Sequence, residues 1–336
     1  MLTLGIETSC DETSCAVLEN GNRILSNVVS SSLAKHKPFG GVVPEIASRH
    51  CLEQIDFVFK TALRKTKVAE KDLGLIAVTQ GPGLVGSLLV GLSFAKALAY
   101  QLGIPFVGVN HLEGHLAANF IGRPLPRHPY IGLIVSGGHT ELTVHRNGSV
   151  KILGSTVDDA VGEAYDKSAK LLGLGYPGGP LIDRLAQKGN PQAFRFTKPR
   201  QEGRFDFSFS GIKTAVRNVI ASPVCSAPRN DRILNDLCAS FQETVVGWLV
   251  EKTIDACRTQ KVKEVVVGGG VSANSRLRRL LGEEARPYGI RVWFPPLALT
   301  VDNAAMIARR GWELYRNGKR SDWKISALPN MRIGES

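Results

Sequence analysis

Two stretches of the chain repeat one pattern, LGIETSCDETSCAVLENGNRIL at residues 4–25 and LIVSGGHTELTVHRNGSVKIL at residues 133–153. Each predicts a strand, a turn of small and hydroxylated residues, a second strand, an Asn-Gly hairpin and a third strand. Each half then predicts helices and a buried strand that ends in glycines, followed by one more strand (104–110 and 290–295). A repeat this long does not indicate a solenoid. It predicts two similar α/β lobes that face each other, with a ligand in the cleft between them.

A stiff, polar connector at residues 123–129 divides the two halves. We therefore predict a first lobe over residues 1–122 and a second lobe over residues 123–336. The second lobe is longer because of an insertion at about residues 173–235, which is rich in Gly, Pro, Arg and Phe. We expect this insertion to carry the specificity for the substrate, since the repeat already accounts for the rest.

The composition is that of a globular protein, with 43% apolar and 21% charged residues. The net charge of +12 favours a polyanionic partner such as nucleic acid, or reflects solubility alone. Six cysteines without a C-x-x-C pair predict free thiols in the cytoplasm. Glu7 interrupts the first apolar run, so we expect no secretory signal. Lys96 lies in the apolar stretch 84–102 and would cost about 3 kcal/mol in a membrane, which favours a core helix.

Turns of Ser, Thr and Gly at residues 7–13 and 136–140 expose N–H groups and hydroxyls that could bind an anion. Either turn alone could equally be an ordinary hairpin turn. Two equivalent turns, one in each half, predict that a nucleotide phosphate chain is bound from both sides. Asp11 and Glu12 could hold a cation or a water against that phosphate. A third glycine-rich turn, 268–274, precedes a helix and could bind adenosine, although it is neither G-x-G-x-x-G nor a P-loop. Residues 81–83 are predicted to be a packing turn.

His111-Leu-Glu-Gly-His115 places two imidazoles on one helical face. Leu112 stands where the zinc-protease motif H-E-x-x-H needs its glutamate, so the protease interpretation fails. Asp302 follows the last strand of the second half, and by itself would be expected to cap the next helix. Symmetry between the halves would instead bring Asp302 to the two histidines at the cleft. Two His and one carboxylate suit iron(II) or zinc.

The chain resembles the bacterial TsaD family, formerly called the O-sialoglycoprotein endopeptidase or YgjD/Gcp family. The matching motifs run along nearly the whole chain: GIETSCDET (5–13), GGVVPEIASR (40–49), GPGLVG (81–86), HLEGH (111–115), VSGGHT (135–140), GEAYDK (162–167), YPGGP (176–180), FDFSFSGIK (205–213), GGVSAN (269–274) and TVDN (300–303). The part past about Leu314 matches least, and no role is transferred to it.

The resemblance implies a duplicated actin/hexokinase/Hsp70-like (ASKHA) fold with a central nucleotide and metal cleft. It also implies transfer of threonylcarbamoyl from threonylcarbamoyl-AMP to N6 of the adenosine 3′ to the anticodon, in tRNAs that read codons beginning with A. One Fe²⁺ or Zn²⁺ would be bound by His111, His115 and Asp302. ATP, ADP or threonylcarbamoyl-AMP would contact Val135, Ser136, Gly137, Gly138, Asp166, Gly179, Asp183 and Asn274. Asp11 or Glu12 would assist deprotonation of the attacking amine.

The family analogy also predicts partners: tRNA, the dimerising relative TsaB and the small ATPase TsaE, with TsaC supplying the adenylate. Candidate tRNA contacts are Lys35, His36, Lys37, Arg49, Lys198, Arg200, Arg204, Arg276, Arg278 and Arg279, with Phe205 and Phe207 interleaved. Two alternatives remain, because a fold does not fix a function. One is a small-molecule kinase of the same fold, and the other is a non-enzymatic scaffold that opens and closes around nucleotide.

Overall fold

The computed structural model describes residues 1–198, 203–221 and 231–335. The chain forms two compact units. Met1–Leu125 and Pro295–Ser336 make the first unit, and Pro126–Phe294 make the second. The predicted boundary after residue 122 lies near the observed one, but the prediction that residues 295–336 belong to the second lobe is corrected. These residues return to the first unit because the helix they contain packs against its sheet.

The first unit is built on a mixed five-stranded sheet. Its strands are β1 (Leu2–Glu7), β2 (Glu12–Glu19), β3 (Arg23–Ser31), β4 (Leu73–Gly81) and β5 (Phe106–Asn110), in the order β3-β2-β1-β4-β5. β1 and β3 pair antiparallel with β2, whereas β1, β4 and β5 run parallel. Side chains alternate between its faces: Ile6 and Val17 contribute to one apolar cluster, and Ala16 and Leu18 to another.

Helices cover both faces of this sheet. They are α1 (Leu33–His36), α2 (Pro44–Thr66), α3 (Val85–Leu102), α4 (His111–Ala117) and α10 (Ala304–Arg316). α2 and α3 contribute Val58, Phe59 and Leu92 to one cluster, while α10 contributes Ala304 and Ala308 to the other. α10 lies so close to β1 that a Cβ on Gly5 would be 2.1 Å from the carbonyl oxygen of Ala304.

α3 corresponds to the apolar stretch 84–102, for which the sequence favoured a core helix over a membrane span. By length and composition it could cross a membrane. One of its faces is buried, including Leu88, Leu92, Ala95 and Leu98, and Leu92 and Ala95 belong to a core cluster of the first unit. This contact is the kind expected for the predicted core helix.

The second unit repeats the same sheet topology. Its strands are β6 (Tyr130–Val135), β7 (Thr140–Arg146), β8 (Ser149–Ser155), β9 (Glu264–Gly268) and β10 (Arg291–Trp293), in the order β10-β9-β6-β7-β8. Its helices are α5 (Val161–Leu171), α6 (Gly178–Ala186), α7 (Ser210–Ile220), α8 (Asp231–Gln260) and α9 (Ser275–Ala285). The duplication predicted from the sequence is therefore present strand by strand, as two antiparallel ribbons that each continue into two parallel strands.

Both predicted Asn-Gly hairpins form. Asn20 and Gly21 join β2 to β3, with φ of 52° and 65°, and Asn147 and Gly148 join β7 to β8, with φ of 40° and 87°. Two consecutive residues with positive φ match the right-handed twist of the flanking strands, which explains why this dipeptide marks both turns.

The insertion is anchored to the second unit by its aromatic residues. Phe205 and Phe207 are buried in the core of this unit. The Asp158 carboxylate accepts hydrogen bonds from the backbone N–H groups of Phe209 (2.7 Å) and Ser210 (3.3 Å), so it caps the start of α7 from outside the helix. Within the insertion, residues 199–202 and 222–230 lie outside the described part of the chain.

Candidate metal centre and nucleotide pocket

The two histidines lie on a helix that starts at the end of β5. Asn110 is the last residue of this strand, and its side-chain oxygen accepts hydrogen bonds from the N–H groups of Leu112 (2.9 Å) and Glu113 (3.3 Å). This cap turns the strand directly into α4. The rings of His111 and His115 consequently lie one turn apart, with centroids separated by 4.6 Å. The predicted shared face is confirmed.

Asp302 completes a cluster with these histidines. Asn303, not Asp302, caps α10, because its side-chain oxygen accepts from the N–H of Met306 (3.1 Å). The Oδ1 atom of Asp302 lies 3.4 Å from Nε2 of His111 and 3.1 Å from Nε2 of His115. All three potential ligand atoms lie within 4.8 Å of one another.

This cluster lies entirely within the first unit. The sequence predicted that symmetry between two lobes would bring Asp302 to the histidines, and that reason is corrected. Asp302 reaches them because residues 295–336 return to the first unit, where α10 packs against β1. The predicted position of a ligand between the lobes stays a prediction.

The arrangement of the three side chains suits a metal ion. His115 is 1% exposed, and neither of its ring nitrogens makes a hydrogen bond within the described part of the chain. Its Nε2 lies 3.1 Å from Oδ1 of Asp302. Nitrogen and oxygen ligands about 2.1 Å from one ion at tetrahedral angles are about 3.4 Å apart. The two distances from Asp302 to the histidines, 3.4 and 3.1 Å, are close to that value.

A buried carboxylate supports His111 from behind. Glu7 has no exposed surface, and its Oε2 lies 3.0 Å from Nδ1 of His111. The same carboxylate accepts hydrogen bonds from the N–H of Ser9 (2.5 Å) and the hydroxyl of Thr79 (2.7 Å). A carboxylate on Nδ1 keeps the proton there and leaves Nε2 free for a metal. Sequence reasoning used Glu7 to exclude a signal peptide and placed it in the anion-binding turn 7–13, but did not predict that it supports His111, although a charge at the end of an apolar strand was the signal for this role.

Charges at the cluster shift its acid–base behaviour. Burial raises the pKa of Asp302, but His111 and His115 reverse this effect and hold that pKa below its usual value. Burial lowers the pKa of His111, whereas Asp302 and Glu7 raise it well above normal. Burial, together with the charges of Asp302 and Asp11, raises the pKa of Glu12 to about 10. A cation in the cluster would offset this repulsion between carboxylates.

In the second unit, the predicted phosphate-binding turn connects β6 and β7. The hydroxyl oxygen of Ser136 accepts a hydrogen bond from the N–H of His139 (3.1 Å), which closes the turn. Gly137 and Gly138 are exposed, and a Cβ on either one would meet no atom within 4 Å. Open space therefore lies beside this backbone, where an anion could approach it.

The other predicted nucleotide residues lie on elements that contact this turn or one another. A Cβ on Gly269 would be 2.3 Å from the carbonyl oxygen of Val135, which places the β9 turn against the end of β6. Asp166 accepts a hydrogen bond from the N–H of Gly178 (2.7 Å), the residue before Gly179 at the start of α6. Within α6, Asp183 accepts from the hydroxyl of Ser275 at the start of α9 (2.8 Å).

Gln242 on α8 joins two of the predicted residues. Its side-chain oxygen accepts a hydrogen bond from Nδ2 of Asn274 (2.8 Å), and its Nε2 donates to Oδ1 of Asp183 (3.0 Å). Gln242 is buried and the sequence did not single it out. It also lines a cavity of about 380 Å³, with Ala186, Gln187, Gly189, Pro191, Ala239, Glu243, Ser275, Arg276 and Arg279. This volume is in the range of small-molecule sites.

The structure corrects part of the predicted tRNA surface. Phe205 and Phe207 are core residues and so cannot stack on bases. His36 is fully buried, and its ring bonds to the hydroxyl of Ser32 (2.8 Å). Arg276 is largely buried and paired with Glu243. Several other predicted contacts, such as Lys35, Arg49, Lys198 and Arg204, pair with acidic side chains at the surface, and Arg200 lies outside the described residues.

The fold is shared with solved structures of low sequence identity. HypF of T. kodakarensis matches with a TM-score of 0.62 and 15% identity, over 94% of this chain and 48% of that one. Component A of the Acidaminococcus fermentans (R)-2-hydroxyglutaryl-CoA dehydratase matches with a TM-score of 0.53 and 16% identity, over 94% and 98%. With its duplicated sheets, the chain is an α/β protein of the actin/hexokinase/Hsp70-like (ASKHA) class, as predicted.

Sequence comparison gives the family. The model described as TsaD, tRNA N6-adenosine threonylcarbamoyltransferase, matches residues 23–309. Proteins of that name are 51% identical in Dictyoglomus turgidum, over the full length of both chains, and 50% identical in Clostridioides difficile, over 100% of this chain and 99% of the relative. The chain belongs to the TsaD family.

Proposed function

We propose that this chain transfers the threonylcarbamoyl group from threonylcarbamoyl-AMP to N6 of the adenosine 3′ to the anticodon, in tRNAs that read codons beginning with A. Its similarity to the TsaD family over the whole chain carries the proposal. In this reaction a bond forms between N6 and the carbamoyl carbon, the bond from that carbon to the phosphate oxygen breaks, AMP leaves, and N6 loses a proton.

His111, His115 and Asp302 are proposed to hold one Fe²⁺ or Zn²⁺. When bound, such an ion would polarise a phosphate or carbonyl oxygen and stabilise developing negative charge. The buried, unbonded nitrogens of His115 and the carboxylate behind His111 support this assignment.

The affinity for metal should depend on pH through His111. Burial lowers the pKa of His111, but Asp302 and Glu7 raise it well above normal, so the metal-free protein holds a proton there up to a higher pH than an ordinary histidine would. Binding must displace that proton, because Nε2 supplies its electron pair to the ion. We expect the apparent Zn²⁺ affinity to rise about 10-fold per pH unit below the raised pKa. A competition titration with a chromophoric chelator at several pH values measures this slope, and a pH-independent affinity would contradict it.

The second unit is proposed to bind ATP, ADP or threonylcarbamoyl-AMP. The backbone of Gly137 and Gly138 would approach the phosphates, with Val135, Ser136, Asp166 and Gly179 on the neighbouring elements. The cavity beside Gln242 would take the adenosine, and Asn274 and Asp183 are hydrogen-bonded to its lining residues Gln242 and Ser275. The polar lining and size of this cavity support the proposal.

Gln242 provides a test of this pocket. Replacing it with Leu leaves the Asn274 amide and the Asp183 carboxylate without their shared partner. Because Gln242 would no longer hold these two groups in place, we expect ADP affinity to fall about 10-fold, which corresponds to the loss of about one hydrogen bond. Gln260→Leu, the same change at the far end of α8, is the matched control. Isothermal titration calorimetry measures both variants, and equal ADP affinities would remove Gln242 from the pocket.

Catalysis by the chain itself would consist mainly of positioning. Aromatic N6 is a poor nucleophile, so holding it against the carbamoyl carbon contributes a large share of the rate. The sequence predicted that Asp11 or Glu12 aids its deprotonation. Without a cation in the cluster, burial and the charges of Asp302 and Asp11 raise the pKa of Glu12 to about 10, so Glu12 could act as a base only when a bound metal offsets that repulsion. Normal transfer by Asp11→Ala at saturating substrate would remove Asp11 from the mechanism.

The proposed partners are tRNA, TsaB, TsaE and, as the source of the adenylate, TsaC. The basic composition favours tRNA binding. Apolar residues on the outer faces of α2 and α3 are candidates for the TsaB interface: Leu52, Val85 and Leu89 are 68%, 54% and 50% exposed. A tRNA substrate, together with the free thiols, favours the cytoplasmic location expected from the sequence.

Transfer to unmodified tRNA tests the function directly. The chain, purified partners, ATP, threonine and bicarbonate are incubated with a tRNA that reads A-starting codons, and the modified nucleoside is detected by mass spectrometry. We expect product only when the chain is present. The runner-up, a small-molecule kinase, predicts ATP-dependent phosphorylation of a hydroxylated substrate and no product on tRNA. That outcome, with an active partner set, would replace the proposal.

A further inference from the structure

A C-terminal tail, residues 321–334, follows α10 and lies along the end of the first sheet. The hydroxyl of Ser321 accepts a hydrogen bond from the N–H of Gly108 in β5 (2.9 Å). The carbonyl of Ile325 accepts from the Lys96 ammonium of α3 (2.5 Å). Leu328 donates its N–H to the carbonyl of Gln80 in β4 (2.9 Å). The tail is therefore bound at several points, and Lys96, an unusual charge in an apolar helix, is one of them.

The distal part of the tail reaches α4, the helix that carries both histidines. The carbonyl of Arg332 accepts a hydrogen bond from Nδ2 of Asn110 (2.8 Å), whose oxygen caps α4. The N–H of Gly334 donates to Oε1 of Glu113 (3.1 Å). Arg310 of α10 donates to the other oxygen of Glu113 (2.8 Å). The Glu113 carboxylate thus ties together α4, α10 and the tail.

Apolar side chains fix this part of the tail in place. Met331 and Ile333 are 4% and 5% exposed. Below them, Gly81 leaves room for the chain, because a Cβ there would be 1.9 Å from the carbonyl oxygen of Leu328 and 3.0 Å from the Cβ of Met331. The glycine turn at residues 81–83, predicted to be a packing turn, therefore packs against the tail.

We propose that docking of the C-terminal tail positions α4 for metal binding, so that the tail and the metal stabilise each other. This inference rests on the proposed metal site. Two hydrogen bonds connect the tail to α4. One involves Asn110, the cap residue that precedes His111, and the other involves Glu113, which lies between the two histidines. Release of the tail would free the N-cap and the first turn of the short helix that sets their separation. Because the coupling is reciprocal, metal should favour the docked tail by the same factor.

The test compares two variants of the full-length chain that each introduce an Asp into the tail, at positions three residues apart. Met331→Asp places a charge at a buried anchor, whereas Leu328→Asp places it on a side chain that is 39% exposed. We expect Met331→Asp to weaken Zn²⁺ binding about 10-fold. This is the lower end of the loss in metal affinity found when a residue that supports a metal ligand is replaced. Trypsin cleavage after Arg332 should also become faster. Leu328→Asp should match the wild type in both measurements.

Two results separate failure of this inference from failure of the metal site. A wild-type chain that binds no Zn²⁺ would reject the site itself. A Met331→Asp chain that is cut faster after Arg332 but binds Zn²⁺ with unchanged affinity would reject only the coupling.

If Met331→Asp does not fold, hydrogen exchange of the wild type decides the question. Zn²⁺ should slow exchange in peptides that cover residues 328–335, although these residues supply no ligand. Unchanged exchange there, with α4 protected by bound Zn²⁺, would overturn the proposal.

Discussion

His111→Ala/His115→Ala should lose both its metal and its transfer activity. The double substitution removes two of three clustered ligands and leaves only the Asp302 carboxylate, which cannot retain an ion by itself. We expect metal content to fall from about one ion per chain to near zero, and transfer to tRNA to fall about 1,000-fold, since such an ion stabilises the transition state by several kcal/mol. Elemental analysis and the transfer assay measure the two quantities on the same preparation.

The control for this prediction is His145→Ala. His145 is also buried, but it lies on β7 in the second unit and stacks on Tyr130, with ring centroids 4.3 Å apart. Circular dichroism establishes that both variants fold. Wild-type transfer by a double variant that contains no metal would show that the cluster has no part in the reaction. Loss of transfer with full metal content would mean that the ion binds elsewhere.

The sequence predicted the fold well because duplication doubles every local signal. The Asn-Gly turns at Asn20 and Asn147 identify two hairpins with the same surroundings, and each half repeats the same order of strands. The return of residues 295–336 to the first unit was not predictable in this way. It depends on close packing of α10 on Gly5, a long-range contact that leaves no periodic pattern in the sequence.

The site was predictable where side-chain spacing determines it and not where long-range contacts do. The i, i+4 pair of His111 and His115 needs only a helix. Gln242 lies on a long helix among many similar polar residues, and only the fold brings it to Asn274 and Asp183. Phe205 and Phe207 failed as candidates for base stacking because aromatic residues beside arginines also occur where an insertion is anchored to a core.

Glu7→Gln should weaken metal binding although Glu7 is not a ligand. The N–H of Ser9 donates to Oε1 of Glu7, so a glutamine would keep its oxygen on that side and turn its amide NH₂ toward Thr79 and His111. Nδ1 of His111 would then accept a hydrogen bond instead of donating one. In the neutral ring, the single remaining proton would then lie on Nε2, the nitrogen that faces Asp302, where it would occupy the electron pair that a metal needs.

The expected loss in Zn²⁺ affinity for Glu7→Gln is about 10- to 100-fold, as found for carboxylates that support metal-bound histidines. Thr79→Val is the matched control, because it removes one hydrogen bond to the same carboxylate but leaves the contact with His111 intact. We expect this control to bind Zn²⁺ almost as tightly as the wild type. Equal losses in the two variants would mean that the Zn²⁺ affinity depends on packing around β1 and not on the position of the proton on His111. A change confined to Glu7→Gln, with an unaltered melting temperature in both, would show that this buried carboxylate acts through the tautomer of the histidine.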